Sequence, residues 1–525
     1  MGSTTFAQIF HYFLNKSGYA SRGSEEALDL KVHYTDLSPL RLRFSDRSPM
    51  IEVPRSVLEE RPPKEISATL SDVVLQLRLE NEIVTVLIDR PCDRLRELVN
   101  APPHQMLVLD EEDMASIRDS STPSSTLLDR VRCQLPLAVL SPYEVSASVT
   151  GSGFFGRAPM IRTLLNHPDT SYTLIGTRRI GKTSLLREVQ RRLKIGLPEG
   201  RQKRLMYIDC MSFTDTQSFL EGIIGQLYPQ ELKKKWRRGN FAYFPQFMKR
   251  MRDMYKGQIV LFLDEIDYLL EKDREHGYEL VRALRTCFEE KSCRFLCAGF
   301  RLARKEMAEA NALYADTPFN FTTPLNVGNF TLGETEDVVK IPMESLGVGF
   351  TKRNAVIKRI YEETGGHPNF VQYYCWVLIK DLDKREDADT APRTIVPAAL
   401  DSVVNDEDFR LRIWDVFISN TNDLEKAVAY SVSDFESFTI EHIDRKMKRH
   451  RFFLPISDLE AACTSLMALG VIEEEDHAYR FTVPVFPILL QERWGEKFVF
   501  EKANEYYKGR TQERSAYDTE PLRIR

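Results

Sequence analysis

Along this chain, short apolar runs alternate with stretches whose apolar residues recur every three or four positions. That is the pattern of strands alternating with amphipathic helices. Residues 83–88 and 106–109 are apolar runs of strand length, followed by helix-like spacing over 93–99 and a helix start at 113–117. They predict a small, separate α/β module over residues 1–145. Ser120-Ser-Thr-Pro-Ser-Ser125 reads as a linker within it. Residues 146–301 repeat the alternation more strongly. A helix is expected over 158–165, then strands at Tyr172–Ile175, Leu205–Asp209, 259–265 and 294–300. Residues 184–193 read as a helix with Leu185, Leu186, Val189 and Leu193 on one face. Strands and helices in this order predict a parallel sheet with helices packed on it. Residues 302–420 look helical, with Thr364-Gly-Gly-His-Pro-Asn369 dividing two helices. Residues 421–500 end in an amphipathic helix over 458–469 stopped by Gly470, then two short strand patterns around the acidic run 473–476. Helices followed by such a hairpin predict a winged helix. Residues 501–525 form a polar tail.

The chemistry concentrates in Gly176-Thr177-Arg178-Arg179-Ile180-Gly181-Lys182-Thr183-Ser184, which fits G-x-x-x-x-G-K-[ST] between a predicted strand and a predicted helix. Each position has a physical reason. The glycines let backbone N–H groups face a phosphate chain. Lys182 places a point charge at the terminal phosphates, the Thr183 hydroxyl is a Mg²⁺ ligand, and the helix opening adds its dipole. The second element is Leu263-Asp264-Glu265, carboxylates at the end of an apolar strand. Asp264 suits Mg²⁺, through water, and Glu265 suits polarisation of an attacking water. Arg301 ends the next predicted strand, where ligands of open α/β sheets bind, so it is placed to reach a γ-phosphate.

Composition narrows the reading. With 525 residues the chain has room for three or four domains. A net charge of −5 gives no global field drawing it to nucleic acid, and no apolar run approaches a membrane span. No signal peptide or myristoylation pattern is expected at the start, Phe6 breaking the latter. The eight cysteines show no C-x-x-C spacing, and Cys293 flanks and Cys297 lies in a predicted strand, so a reduced, cytoplasmic setting is expected. A nuclease role for residues 1–145 would need a carboxylate-rich metal site, and Glu52-Val53-Pro54 lacks the lysine of E-x-K. The acidic run Asp110 to Asp113 reads as a solvated helix start. The run Lys233-Lys-Lys-Trp-Arg-Arg238 has the composition of a nucleic-acid contact or of a solvated helix end. Residues 425–493 carry 12 acidic and 8 basic side chains, and the last helix before the hairpin has Asp458 and Glu460 but no Lys or Arg. Phosphate contacts supply most DNA affinity, so this helix is a poor DNA reader and a protein-packing role is favoured.

The ordered set Phe155-Gly156-Arg157, phosphate loop, Leu263-Asp264-Glu265, Arg301, Gly366-His367-Pro368 and winged helix resembles the STAND class of AAA+-related ATPases. It is most similar to prokaryotic members with Arg-Arg-Ile-Gly-Lys-Thr-Ser in the loop. Pro318-Phe-Asn-Phe321 and Gly365 to Phe370 add to the likeness, which covers residues 146–495 and leaves 1–145 aside. The resemblance implies an ATP/ADP switch with Mg²⁺, a helical lid, and self-assembly or a protein partner. It places Gly156, Arg157 and Pro368 near the adenine and makes Arg301 a γ-phosphate sensor. Two departures stand out. Many relatives carry a histidine after the winged helix, where this chain has Val483-Pro-Val-Phe-Pro487. Relatives also append long repeat sensors, where a short tail follows here. Three functions are expected to compete: a regulated ATPase switch in defence or signalling, a DNA-associated ATPase of the origin-recognition or transposition-helper kind, and a nucleotide-binding scaffold that barely hydrolyses ATP. The acidic winged helix weighs against the second and the Asp264-Glu265 pair against the third.

Overall fold

A computed structural model describes residues 14–518 apart from 16, 102–104, 196, 203, 235–240, 300–320 and 385–392. Arg301, most of the basic run after Lys234, and Pro318 to Asn320 lie outside the described residues. The chain divides into two compact units. One draws on Phe155 and the residues before it, with Thr335–Ile357 and Gln372–Val403. The other draws on Gly156–Glu334, Lys358–Val371 and the residues from Val404 onward.

The first unit is built on a five-stranded sheet, β1 (Ser21–Ala27), β2 (Leu30–Thr35), β3 (Ser48–Val53), β4 (Thr85–Ile88) and β5 (Leu107–Leu109), in that spatial order. The first three strands pair antiparallel and β3, β4 and β5 pair parallel. Val32, Ile51, Val86 and Val108 meet Leu70, Val73 and Leu95 from the helices Pro63–Gln76 and Asp93–Asn100 in one core. Gln134 covers the β5 edge, accepting from Val108 N at 3.0 Å and donating to its carbonyl at 2.8 Å.

Two expectations change here. The acidic run does start a helix, Glu111–Asp119, but Asp110 and Asp113 are buried rather than solvated. They form a reciprocal cap, and Arg96 donates to both at 2.6 and 2.9 Å. The expected linker is the start of the helix Pro123–Gln134, because proline at the first helical position is preset for a helix. Later segments belong to this unit as well. Arg132 donates to the carbonyls of Glu344 and Ser345, Tyr143 donates to those of Val338 and Val339, and Asp383 accepts from Leu137 N and Ala138 N.

The second unit holds a parallel sheet of β6 (Tyr172–Ile175), β7 (Leu205–Asp209), β8 (Ile259–Asp264), β9 (Cys293–Gly299) and β10 (Thr323–Asn326), in spatial order β10-β6-β9-β8-β7. This is a P-loop NTPase core of AAA+ type. The sheet extends past residue 301, the expected end of the core, because β10 pairs with β6. β10 reads Thr-Pro-Leu-Asn and carries no apolar alternation to announce it. Ile208, Leu261, Leu263 and Phe295 pack against Phe219, Phe244 and Phe247 of the helices Thr216–Leu227 and Tyr243–Tyr255. Cys293 and Cys297 are buried in β9, as core residues.

The C-terminal part of the unit is helical, with Glu407–Asn420, Asp423–Ser431, Ile440–Arg449, Ile456–Ala468, Val485–Arg493 and Glu496–Asp518. An antiparallel hairpin of Ile472–Glu475 and Ala478–Phe481 follows the fourth of these. Phe438 extends it through a bridge to Tyr479. No helix among the described residues is long and apolar enough to cross a membrane.

Candidate nucleotide-binding site

The loop after β6 turns into the helix Lys182–Lys194 through Gly181, whose φ of 94° suits glycine alone. Arg179 also sits in the left-handed region, at φ 61°, and Arg178 and Arg179 are exposed. Ile180 is buried, and Ser184 lies in the helix's first turn. Lys182 is 6% exposed, and its Nζ donates to the carbonyls of Gly176 and Thr177 at 2.8 Å each. Burial lowers the lysine's pKa, and the Glu265 and Asp264 carboxylates oppose that shift.

β8 brings its carboxylates to this loop. Asp264 is its last residue and is buried. Its Oδ2 accepts from the Thr183 hydroxyl at 2.7 Å and from the Tyr207 hydroxyl at 2.5 Å, and its Oδ1 accepts from Glu265 N at 3.1 Å. Glu265 leaves the strand, contrary to the expectation that the strand runs through it. At φ 52° it caps the helix Ile266–Glu275 from the left-handed region, a costly conformation for a residue with a Cβ. Burial raises the Glu265 pKa, Lys182 and Arg178 pull it down, and Asp264 and Asp267 add to the rise. A half-buried carboxylate beside a cation, its pKa raised by burial, has the chemistry of a candidate general base.

The residues before β6 reach the same loop. Gly156 and Arg157 both have positive φ, and Arg157 N donates to Glu334 Oε1 at 2.6 Å. The buried guanidinium of Arg157 donates to Ile180 O at 3.4 Å and to Gly328 O at 2.5 Å, and lies over the Phe330 ring. It therefore ties the phosphate loop to the segment after β10. Pro368 opens the helix Pro368–Asp383 and is buried. His367 beside it is 1% exposed, stacks on Phe370 at 4.2 Å, and has no partner for either ring nitrogen. Burial, reinforced by Arg157 and Arg179, depresses its pKa to about 3.

The described structure thus assembles Thr183, Asp264, Glu265 and Lys182, and links Arg157 to Ile180 by hydrogen bond. Arg301 lies outside it. Tyr207, Arg187, Glu334 and Phe330 are parts of the site that sequence reasoning missed. Of these, only Tyr207 left a trace, as an apolar-run residue two positions before the end of a strand. Among the described residues no group of three or more His, Cys, Asp or Glu side chains could hold a metal ion on its own. A cation here would rest on the Thr183 hydroxyl, Asp264 and phosphate oxygens, and that donor set fits Mg²⁺, a hard ion that takes few protein ligands.

Residues 165–305 match the family model described as AAA domain. Among solved structures, the chain is similar to a Walker-type ATPase of Pyrococcus abyssi, at 14% identity over 67% of this chain and 99% of that one, TM-score 0.49. It is also similar to the ORC2 protein of Aeropyrum pernix in ADPNP and ADP complexes, at 12% identity over 71% and 98%, TM-score 0.45. A third is the ORC1 protein of Aeropyrum pernix in complex with DNA, at 15% identity over 65% and 92%, TM-score 0.35. No curated protein matches the sequence.

Proposed function

We propose that this protein is a slow, regulated ATPase of the STAND kind. It binds ATP and ADP with Mg²⁺ and changes its assembly, with itself or with a protein partner, as the nucleotide changes. The observation that carries this reading is the hydrogen bond from the Thr183 hydroxyl to Asp264, with Lys182 buried beside the loop and Glu265 at the same strand end. Backbone N–H groups of Gly176 to Ser184 would hold the phosphates and Lys182 their charge. Thr183 and Asp264 would hold Mg²⁺, which when bound supplies charge neutralisation at the phosphate oxygens. Glu265 would take the proton of the attacking water. Gly156, Arg157 and Pro368 would close on the adenine, and Arg301 would sense the γ-phosphate. The domain order we propose is an N-terminal α/β module to 145, a core from 146 whose sheet is completed by β10 beyond residue 301, a lid to 420 and a winged helix to 500 followed by the rest of the helix Glu496–Asp518, in a cytoplasmic setting.

The test is Glu265→Gln, which keeps shape and hydrogen bonding but removes the base. It should bind ATP at least as well as wild type and turn over at least about tenfold more slowly. It should also scatter light differently in ATP and in ADP. Wild-type turnover would remove Glu265 from catalysis. Slow turnover with equal scattering in both nucleotides would leave the ATPase and remove self-assembly.

A second reading, a DNA-associated ATPase, rests on one surface. Arg445, Arg449 and Arg451 are exposed on the helix Ile440–Arg449 and the turn after it, next to Phe453, which is 70% exposed. A salt titration of DNA binding decides it. A steep loss of affinity with salt, reduced by charge reversal at Arg445 and Arg449, favours DNA. No salt-dependent binding removes it.

A further inference from the structure

We propose that Tyr207 is a positioning residue for the metal side of the nucleotide site. Its hydroxyl fixes the carboxylate of Asp264 in the orientation that lets Asp264 and Thr183 serve Mg²⁺ together. The inference rests on the nucleotide reading above and goes beyond it by assigning a role to a residue outside both sequence motifs.

Strand register puts Tyr207 in place. β7 and β8 run parallel with Tyr207 opposite Phe262 and Asp209 opposite Asp264. Side chains two apart share a sheet face, so Tyr207 stands on the Asp264 face, one step back along the strand. A tyrosine is long enough to span that step, and its hydroxyl reaches Asp264 Oδ2 at 2.5 Å. On the neighbouring helix, Thr183 and Arg187 are four apart and so lie on one face. Thr183 donates to the same oxygen at 2.7 Å, and the Arg187 guanidinium stacks over the Tyr207 ring at 3.9 Å. Arg187, Tyr207, Asp264 and Thr183 therefore form one continuous chain of contacts across three elements.

The consequence is geometric. An ionised carboxylate offers about four lone-pair sites. Tyr207, Thr183 and Glu265 N occupy three of them, which leaves a single orientation for Asp264. Thr183 has one hydroxyl proton. With that proton directed at Asp264, its oxygen lone pairs are free for a cation. Take away the Tyr207 hydroxyl and Asp264 keeps only Thr183 and the amide of its own neighbour. The carboxylate is then free to rotate, and Thr183 loses its fixed acceptor.

Tyr207→Phe is the test, because it keeps the ring on Arg187 and removes the hydroxyl, with its bond to Asp264 and the one it shares with Arg187. Calorimetry measures ADP affinity in EDTA and in saturating Mg²⁺. The variant should match wild type in EDTA and lose about tenfold of the tightening that Mg²⁺ confers, the scale of one charge-assisted hydrogen bond. In an Asp264→Ala background the same change should cost nothing further. A full Mg²⁺ response in Tyr207→Phe overturns the proposal, and so does a loss that adds to that of Asp264→Ala. Wild-type protein that binds no ADP in either buffer overturns the nucleotide reading and this proposal with it. That outcome is distinct from normal wild-type binding with an indifferent Tyr207.

Discussion

His367 makes the sharpest prediction about stability, because its cost can be worked from its surroundings. It is 1% exposed, neither ring nitrogen has a partner, and its pKa falls to about 3 through burial with help from Arg157 and Arg179. The unfolded imidazole takes a proton near its ordinary pKa of about 6.5, and the folded one refuses it until far lower. Acid therefore favours the unfolded chain. The stability in question is complete above the ordinary pKa and is lost as pH falls below it. At about pH 5 the proton penalty is roughly 1.5 pH units at 1.36 kcal/mol each, about 2 kcal/mol, and it hardly depends on the folded value once that lies below about 4. His367→Phe keeps the stack on Phe370 and deletes the titrating group. It should be at least as stable as wild type at neutral pH, since no hydrogen bond is lost. It should escape about 2 kcal/mol of the destabilisation seen between about pH 7 and about pH 5. Urea unfolding followed by tryptophan fluorescence reads this. Trp414 and Trp494 lie 4.8 Å apart in the same unit as His367. Parallel acid slopes in the two proteins would refute a buried, neutral His367.

Two further changes probe the turn that precedes the helix Pro368–Asp383. Gly366 has φ 65°, and a Cβ there would meet Phe330 O at 2.4 Å and the Tyr361 ring at 2.8 Å. Gly366→Ala should therefore cost more than about 2 kcal/mol in the same urea assay, and a loss below about 0.5 kcal/mol would show that the turn is slack. Pro368→Asp should weaken ATP and ADP alike without altering the Mg²⁺ dependence of binding. Normal affinity for both, by calorimetry, removes Pro368 from the site.

What the sequence disclosed follows from where the physical signal lies. The strands β6, β8 and β9 are buried along their whole length and mostly apolar, and such a run survives without any knowledge of the fold. The phosphate loop and Asp264 were legible because spacing alone specifies them. β1 was not, since Ser-Arg-Gly-Ser-Glu-Glu-Ala faces solvent along nearly all its length and shows no alternation. Tyr207 and Arg187 were hidden for another reason. Their roles arise from strand register and helix facing, which exist only once β7, β8 and the helix Lys182–Lys194 have packed. The buried Asp110 and Asp113 were misread because an acidic run looks solvated until Arg96 is known to lie against it.

A switch needs more than a site that hydrolyses ATP. It needs a physical route from the phosphates to the surface that changes, and the second unit contains a contiguous set of contacts that suits one. Arg157 joins the phosphate loop, at Ile180 O, to Gly328 O and Glu334. Glu334 accepts from Thr331 N at 3.0 Å, and its neighbour Phe330 donates to Gly366 O at 2.8 Å. A Cβ on Gly365 would stand 2.8 Å from Thr482 O, so the turn at Gly365 and the residue after the hairpin's second strand touch backbone to backbone. Thr482 in turn donates to Gly470 O at 2.5 Å, at the end of the helix Ile456–Ala468. Arg157 and Glu334 make their joints through charged side chains and Thr482 through its hydroxyl, whereas those at Phe330, Gly366 and Gly365 are backbone contacts. Contact alone does not establish coupling. Coupling requires that both ends bias one two-state element. That is why Gly366→Ala and Glu265→Gln belong in one experiment. If the route carries the switch, the glycine variant, at a temperature where it is folded, should bind ATP and lose the scattering change that Glu265→Gln holds in place.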